Sequence, residues 1–350
     1  MLLTMSTSPP QEDPPSSKLP PVSSNPSAPA SGPQPGLDVC VDGRHDGGPT
    51  QPGVPLRTVL VERQRRVGRP IALFLITCLT TFCTGCYQWT PAWIFFPKPP
   101  EFGGETFSVL VQRNWLDGLL FMICVMAVLM FHEMGHFLMT LRHRVHASYP
   151  HFIPFPLMVT GTMGAVIAMD GPRMDRKSLF DIGIAGPLAG LILIVPFVVI
   201  GIMIAEPGPA SLFANPLLVE SILIPLLRPD LSAGQHLALN PIYMAGWVGM
   251  LVTGLNMIPI SQLDGGHVSY SVFGSYAKWV ARGIIMAAIA WIVWTNNYNW
   301  VMMLFVVLLI GVDHPPTSND SLDIGWGRRL LGVASFAIPI LCFTPIPLAF

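Results

Sequence analysis

The sequence predicts an all-α polytopic membrane protein with about six to seven transmembrane helices and a short membrane-associated β-hairpin region between the second and third. Three observations carry this prediction. Hydrophobic residues make up 51% of the chain and charged residues only 11%. Mean hydropathy is +0.54. The apolar residues also gather in runs near the length of about 20 residues that a helix needs, at about 1.5 Å per residue, to cross a bilayer. The net charge of −1 leaves no electrostatic footprint for nucleic acid. Of the 6 cysteines, Cys78, Cys83, Cys86 and Cys124 fall in expected spans, so no disulfide framework is read from them. Cys83-Thr-Gly-Cys86 has CxxC spacing without companion ligands and reads as helix packing.

Residues 1–56 hold 13 of the 36 prolines, many serines and glycines, and no aromatic residue. Such a stretch buries too little surface to offset its chain entropy, so a disordered arm is expected there. Its acidic residues outnumber its basic ones, which argues against an organelle transit peptide. Residues 57–350 then form the membrane domain, with a core over 70–315. The strongest spans are 70–89, 118–141, 181–205 and 238–258; shorter ones follow at 279–295, 298–312 and, as an extra C-terminal span, 329–349. Between the second and third spans, HFIPFPLMVTGTMGAVIAMD is broken by Pro and Gly and reads as extended or hairpin structure dipping into the membrane. Its strand edge could pair with an unwound peptide.

Arg57, Arg63, Arg65, Arg66 and Arg69 precede the first span, and Arg142, Arg144, Arg173, Arg176 and Lys177 follow the second. Basic residues mark the cytoplasmic side, so the expected location is a bacterial cytoplasmic membrane with the N-terminus in the cytoplasm.

Inside the second apolar run sits His132-Glu133-Met134-Gly135-His136. On a helix, residues four apart share a face, so His132 and His136 can grip one metal with Glu133 beside it. Zinc held in this way lowers the pKa of a water, and a neighbouring glutamate can take the proton. Ionisable groups cost free energy in lipid, which points to chemistry. The plainer alternative is two helix histidines satisfied by carbonyls, with Glu133 as their counter-ion. A catalytic zinc also needs a third protein ligand. His143 lies about 10 Å along the axis from His136, too far for one ion. No Glu occurs from Met134 to Ala205, and Asp170, Asp175 and Asp181 read as solvated or end-capping loop charges. Asp264 is the better candidate, because it ends a stretch from Leu231 to Leu263 without a charged residue. Pro259 should break the fourth span near the level of the histidines. The alternative for Asp264 is a cap at a helix C-terminus.

HEMGH taken with Asn256-Met-Ile-Pro259-Ile-Ser-Gln-Leu263-Asp264-Gly-Gly-His267 resembles the site-2 protease family of intramembrane zinc metalloproteases, in the branch without a PDZ domain that is similar to the plant and cyanobacterial type. The resemblance implies one Zn2+ on His132, His136 and Asp264, with Glu133 as general base and later acid. It places Asn256 near the bound substrate or the oxyanion, and it makes the partners a transmembrane protein substrate and the lipid bilayer. Met257, where many members have Pro, departs from the pattern. Gly183-Ile-Ala-Gly186-Pro187-Leu-Ala-Gly190 resembles the family's third-span segment, though small-residue helix packing explains it as well. Asp313-His314-Pro315-Pro316 is similar to a feature of the plant and cyanobacterial branch, and is also simply a loop. His146, His151, His236 and His267 receive no ligand role; His267 is the one near enough to tune the site. The competing function is a transporter in which His132, Glu133, His136 and Asp264 line a proton or metal path.

Overall fold

A computed structural model describes residues 38–40, 59–61, 67–89, 107–169, 174–208, 213–231, 235–296, 300–342 and 344. The chain divides into a small unit, Met1–Arg65, and a large one, Arg66–Phe350. In the small unit β1 (Asp38–Cys40) pairs antiparallel with β2 (Val59–Val61). The rest of the expected arm lies outside the described residues.

The large unit is mostly helical. Helices α1 (Gly68–Cys86), α2 (Phe107–Arg142) and α3 (Arg176–Ile204) form its frame. Among the described residues, four helical runs are long and apolar enough to cross a membrane: Gly68–Cys86, Ser108–Arg142, Arg176–Ile204 and Asp264–Thr295. The first three lie over expected spans, but α2 begins eleven residues before 118. It bends at Asn114, where the backbone leaves helical geometry and the side-chain amide donates to the Cys86 carbonyl at 3.0 Å. Cys83 and Cys86 are buried and free of disulfides.

Helix α3 starts earlier than expected because Asp175 caps it. The Asp175 carboxylate accepts from the Ser178 amide at 2.7 Å and from the Ser178 hydroxyl at 2.7 Å. This corrects the reading of Asp181 as a loop charge. Asp181 lies within α3 and accepts from Arg328 at 2.7 and 2.8 Å, with His143 Nε2 at 3.0 Å. Asp170 lies outside the described residues.

Between α2 and α3, strand β3 (His151–Pro154) pairs antiparallel with β4 (Thr162–Val166), with an irregular register between Phe152 and Pro154. Helix α3 is the hub of the unit and packs against α2, α5 (Pro241–Asn256) and α6 (Asp264–Phe273). The largest apolar core lies where α2, α3 and α5 meet, around Val128, Leu129, Ile194, Val198, Met244 and Trp247. Beyond α3 come β5 (Pro207–Gly208), a π-helical turn at Val219–Leu223 running into α4 (Ile224–Leu227), and β6 (His236–Leu237) paired with β5.

The expected span 238–258 is shorter in the structure. Asn240 caps α5 by accepting from the Tyr243 amide at 2.9 Å, and Pro241 opens the helix without needing a donor. At the other end Ile258 precedes Pro259, and a residue before proline is pushed out of the α region. The helix ends at Asn256 after 16 residues, about 24 Å. The span expected at 279–295 instead extends back through a 3-10 turn at Gly274–Tyr276, so that α6 and α7 (Ala277–Thr295) form the run Asp264–Thr295. The stretch 298–312 holds only the 10 residues of α8 (Val301–Ile310). The stretch 329–349 holds parts of α9 (Trp326–Ser335) and α10 (Ala337–Cys342), separated at Phe336.

The linker 257–263 sets the position of α6. Ser261 takes a left-handed conformation (φ 54°), and its amide donates to the Val312 carbonyl at 3.1 Å. The paired glycines let the helix start directly beneath this linker. A Cβ at Gly265 would lie 2.1 Å from the Met257 carbonyl oxygen, and one at Gly266 2.2 Å from that of Ser261.

Candidate functional site

Helix α2 carries His132, Glu133 and His136, all three buried. Asp264 is the first residue of α6, where the positive end of the helix dipole favours a carboxylate. The alternative reading, a cap at a helix C-terminus, does not hold, because Asp264 opens a helix. The Met257 position changes nothing essential: Met257 is fully buried, and the helix still ends one residue before it.

Asp264 Oδ2 lies 3.1 Å from His132 Nε2 and 3.3 Å from His136 Nε2. Ligand atoms about 2.0–2.1 Å from a tetrahedral ion stand about 3.3 Å apart, so these separations match two edges of such a tetrahedron. All three ligating atoms lie within 4.8 Å of one another, the one such group among the described residues. The tautomer of His136 also fits. Its Nδ1–H donates to the Ile182 carbonyl at 2.8 Å, which leaves the Nε2 lone pair directed at the common point. His132 Nδ1, by contrast, is buried without a partner among the described residues. Two imidazoles and one carboxylate with an open fourth position make a donor set suited to a catalytic zinc.

The close approach of α2 and α3 depends on absent side chains. A Cβ at Gly186 would lie 2.1 Å from His136 Nε2, and one at Gly135 would lie 2.4 Å from the Ala185 carbonyl oxygen. The small residues of the third helix therefore do more than pack helices; one of them makes room for a ligand ring.

The three candidate ligands and Glu133 line a cavity of about 430 Å³, together with Asn256 and His267. The Glu133 carboxylate has no hydrogen-bond partner among the described residues. One wall is the end of β4 and its continuation, Ala165 to Met169; another is the loop His314 to Thr317. That loop is the part of the site that sequence reasoning missed, although the signal was on hand in Asp313-His314-Pro315-Pro316. His143 pairs with Asp181 instead of joining the ligands, and neither His146, His151 nor His236 is among the residues that line the cavity.

The sequence matches peptidase family M50 over residues 120–294, half of the chain. It is 31% identical over 232 residues to "Probable zinc metalloprotease EGY1, chloroplastic" of Oryza sativa subsp. japonica, covering 63% of this chain and 40% of the relative. The protein of the same name in Arabidopsis thaliana is 30% identical over 63% of this chain and 42% of its own length. "Probable zinc metalloprotease EGY2, chloroplastic" of Arabidopsis thaliana is 28% identical over 73% of this chain and 47% of its own length. The chain thus spans less than half the length of each of these relatives. No solved structure matches it.

These relatives correct the expected location, a bacterial cytoplasmic membrane with the N-terminus in the cytoplasm. They are plant proteins named as chloroplastic, which stands against a bacterial cytoplasmic membrane. Counting basic residues separates the two faces of a membrane and carries no information about which membrane it is. From the matched segment, which contains HEMGH, the Leu-Asp-Gly-Gly start of α6 and the helices that join them, the chain belongs to peptidase family M50, the site-2 protease family.

Proposed function

We propose that this chain is a zinc metalloprotease of a chloroplast membrane that hydrolyses peptide bonds within or near the transmembrane segments of membrane proteins. One observation carries the reading: His132, His136 and Asp264 converge on a single point beside a Glu133 that is free of hydrogen-bond partners among the described residues, inside a bundle of apolar helices. Zn2+ held by those three residues would polarise a peptide carbonyl and make a water more acidic. Glu133 takes the proton of the attacking water and returns it to the leaving amine. Asn256 holds the substrate or the developing oxyanion in this reading, which its position on the cavity wall at the end of α5 supports.

A helical substrate must unwind, because its carbonyls are otherwise hydrogen-bonded within the helix. The edge of β4 away from β3, unpaired among the described residues, runs into the cavity wall at Ala165 and Val166, which supports a role in pairing with the unwound chain inside the membrane. The four long apolar runs, Gly68–Cys86, Ser108–Arg142, Arg176–Ile204 and Asp264–Thr295, supply the membrane crossings of this reading, with the 16-residue α5 packed against α2 and α3.

The transporter reading is less supported, because the ligating atoms gather at one point instead of spacing along a path. The test is Glu133→Gln in liposomes containing a transmembrane reporter substrate. Cleavage falls by at least about a hundredfold while the zinc content stays at that of the parent. Turnover retained by the variant would refute the assignment of the base, and metal flux without cleavage would favour transport.

A further inference from the structure

The loop after α8 is fastened across the metal cavity. Its Val312 carbonyl accepts from the Ser261 amide at 3.1 Å, and the Ser318 amide donates to the Met174 carbonyl at 2.9 Å. Asp313 pairs with Arg282 at 2.7 Å, and Asp320 accepts from the Tyr270 hydroxyl at 2.8 Å. Under this strap, His314 Nε2 lies 2.7 Å from His267 Nδ1, and the His314 ring stacks on Tyr270 with centroids 4.6 Å apart.

Donor and acceptor roles locate every proton in this pair. His314 Nδ1 lies 2.6 Å from the Pro315 carbonyl oxygen, which can only accept, so Nδ1 carries a hydrogen. Burial pushes the His314 imidazole below its usual range, against the opposing pull of the Pro315 carbonyl and Asp320, so the ring is neutral and its Nε2 is a bare lone pair. That lone pair requires a hydrogen on His267 Nδ1. A neutral His267 then has a bare Nε2 as well. This atom has no hydrogen-bond partner among the described residues, and the His267 ring lines the cavity that holds Glu133 and the three candidate ligands.

An unwound substrate presents backbone N–H groups that have lost their helical acceptors and, away from water, need new ones. We propose that His267 is a substrate-binding residue whose Nε2 accepts a backbone N–H of the unwound substrate, and that His314 is the positioning residue that holds His267 in the only neutral tautomer able to do so. This rests on the protease reading for what enters the cavity. The strap thereby fixes a proton on Nδ1 of the His267 ring and keeps Nε2 bare for the substrate.

The test uses the full chain carrying Glu133→Gln, with 15N-labelled histidine, and a fluorescein-labelled leucine-rich transmembrane peptide containing a central glycine–proline break as the probe. Ring nitrogen shifts, assigned against His267→Gln, should show His267 protonated on Nδ1 and bare on Nε2. His314→Phe keeps the stack on Tyr270 but removes the acceptor. It should lose the fixed tautomer and bind the peptide about five- to tenfold more weakly, the effect of one hydrogen bond, with zinc content unchanged. His314→Gln, whose side-chain oxygen can accept from His267 Nδ1, should restore both. A hydrogen on His267 Nε2 in the parent, or equal peptide affinity of the Phe and Gln variants, would overturn the inference. Absence of cleavage by the chain with intact Glu133, alongside the expected tautomer and binding pattern, would sink the protease reading and leave this one standing.

Discussion

His136 is held by what its neighbours lack. Its Nδ1–H is anchored on the Ile182 carbonyl at 2.8 Å, while its Nε2 occupies space that any side chain at Gly186 would take. Gly186→Ala should therefore lower stability by about 1–2 kcal/mol, because the overlap with a buried ring outweighs the gain in helix propensity, and lower activity by about a hundredfold, because the ring must move. Gly190→Ala makes the contrast. Its Cβ would stand 3.3 Å from His132 Nδ1, a contact that small adjustments absorb, so zinc content and turnover should stay within severalfold of the parent. Zinc quantification and cleavage of a reporter check both; equal losses in the two variants would refute the steric account. At this scale much was legible in the sequence. The i, i+4 histidines on an apolar helix could be read from spacing, and Asp264 from being the first charge after a long uncharged stretch. The reason for Gly186 was not legible, since a small residue that lets helices approach and one that clears space for a ring look alike in a sequence. The role of His314 was hidden for a different reason: a loop histidine declares its partner only when the loop is folded back on the site.

Elements show where local chemistry decides and where it leaves choices open. Pro259 announced a break, and α5 does end before it, but proline cannot say whether the next carboxylate closes one helix or opens another. The answer lay in the glycine pair after Asp264, which lets α6 begin beneath the linker at distances no Cβ would permit. Likewise, Asp175 ahead of Arg176-Lys177-Ser178 reads equally as a loop charge or as a cap; the Ser178 amide and hydroxyl settle it. Burial raises the Asp175 carboxyl, and the hydrogen bonds from Ser178 outweigh this, so it lies below the usual carboxylate range. A lowered value means that the stabilisation by the charged cap is complete above that range and is lost as the pH falls through the lowered value. Asp175→Ala should cost about 1 kcal/mol at neutral pH, and much less at a pH where the parent carboxyl is protonated. Unfolding of the detergent-solubilised protein, followed at both pH values, measures the difference; an equal cost at both would exclude the ionised cap as its source.

On the scale of the whole molecule, the large unit from Arg66 onward contains all the candidate ligands, Glu133, Asn256 and the strap. A chain lacking residues 1–65 should therefore bind zinc at the parent stoichiometry and cleave a reporter at a rate within about threefold; metal loss on truncation would show that the small unit supports the centre. The helical membrane class was legible in composition alone, because long apolar runs with few charges have few other fates. The lengths of several runs were not, since capping at Asn240 and the linker before α6 redraw boundaries that hydropathy smooths over. The compartment was not legible either, for charge asymmetry reports sidedness only. The proposed centre turns on two helices, α2 and α6, delivering their ligands to one ion. X-ray absorption at the zinc edge on the purified protein tests this most directly. It should find one zinc per chain with nitrogen and oxygen ligands at about 2.0–2.1 Å and the outer-shell scattering of two imidazole rings, and Asp264→Ala should abolish stoichiometric binding. Zinc that stays equally tight without the Asp264 carboxylate, or that shows no imidazole scattering, would contradict the proposed centre.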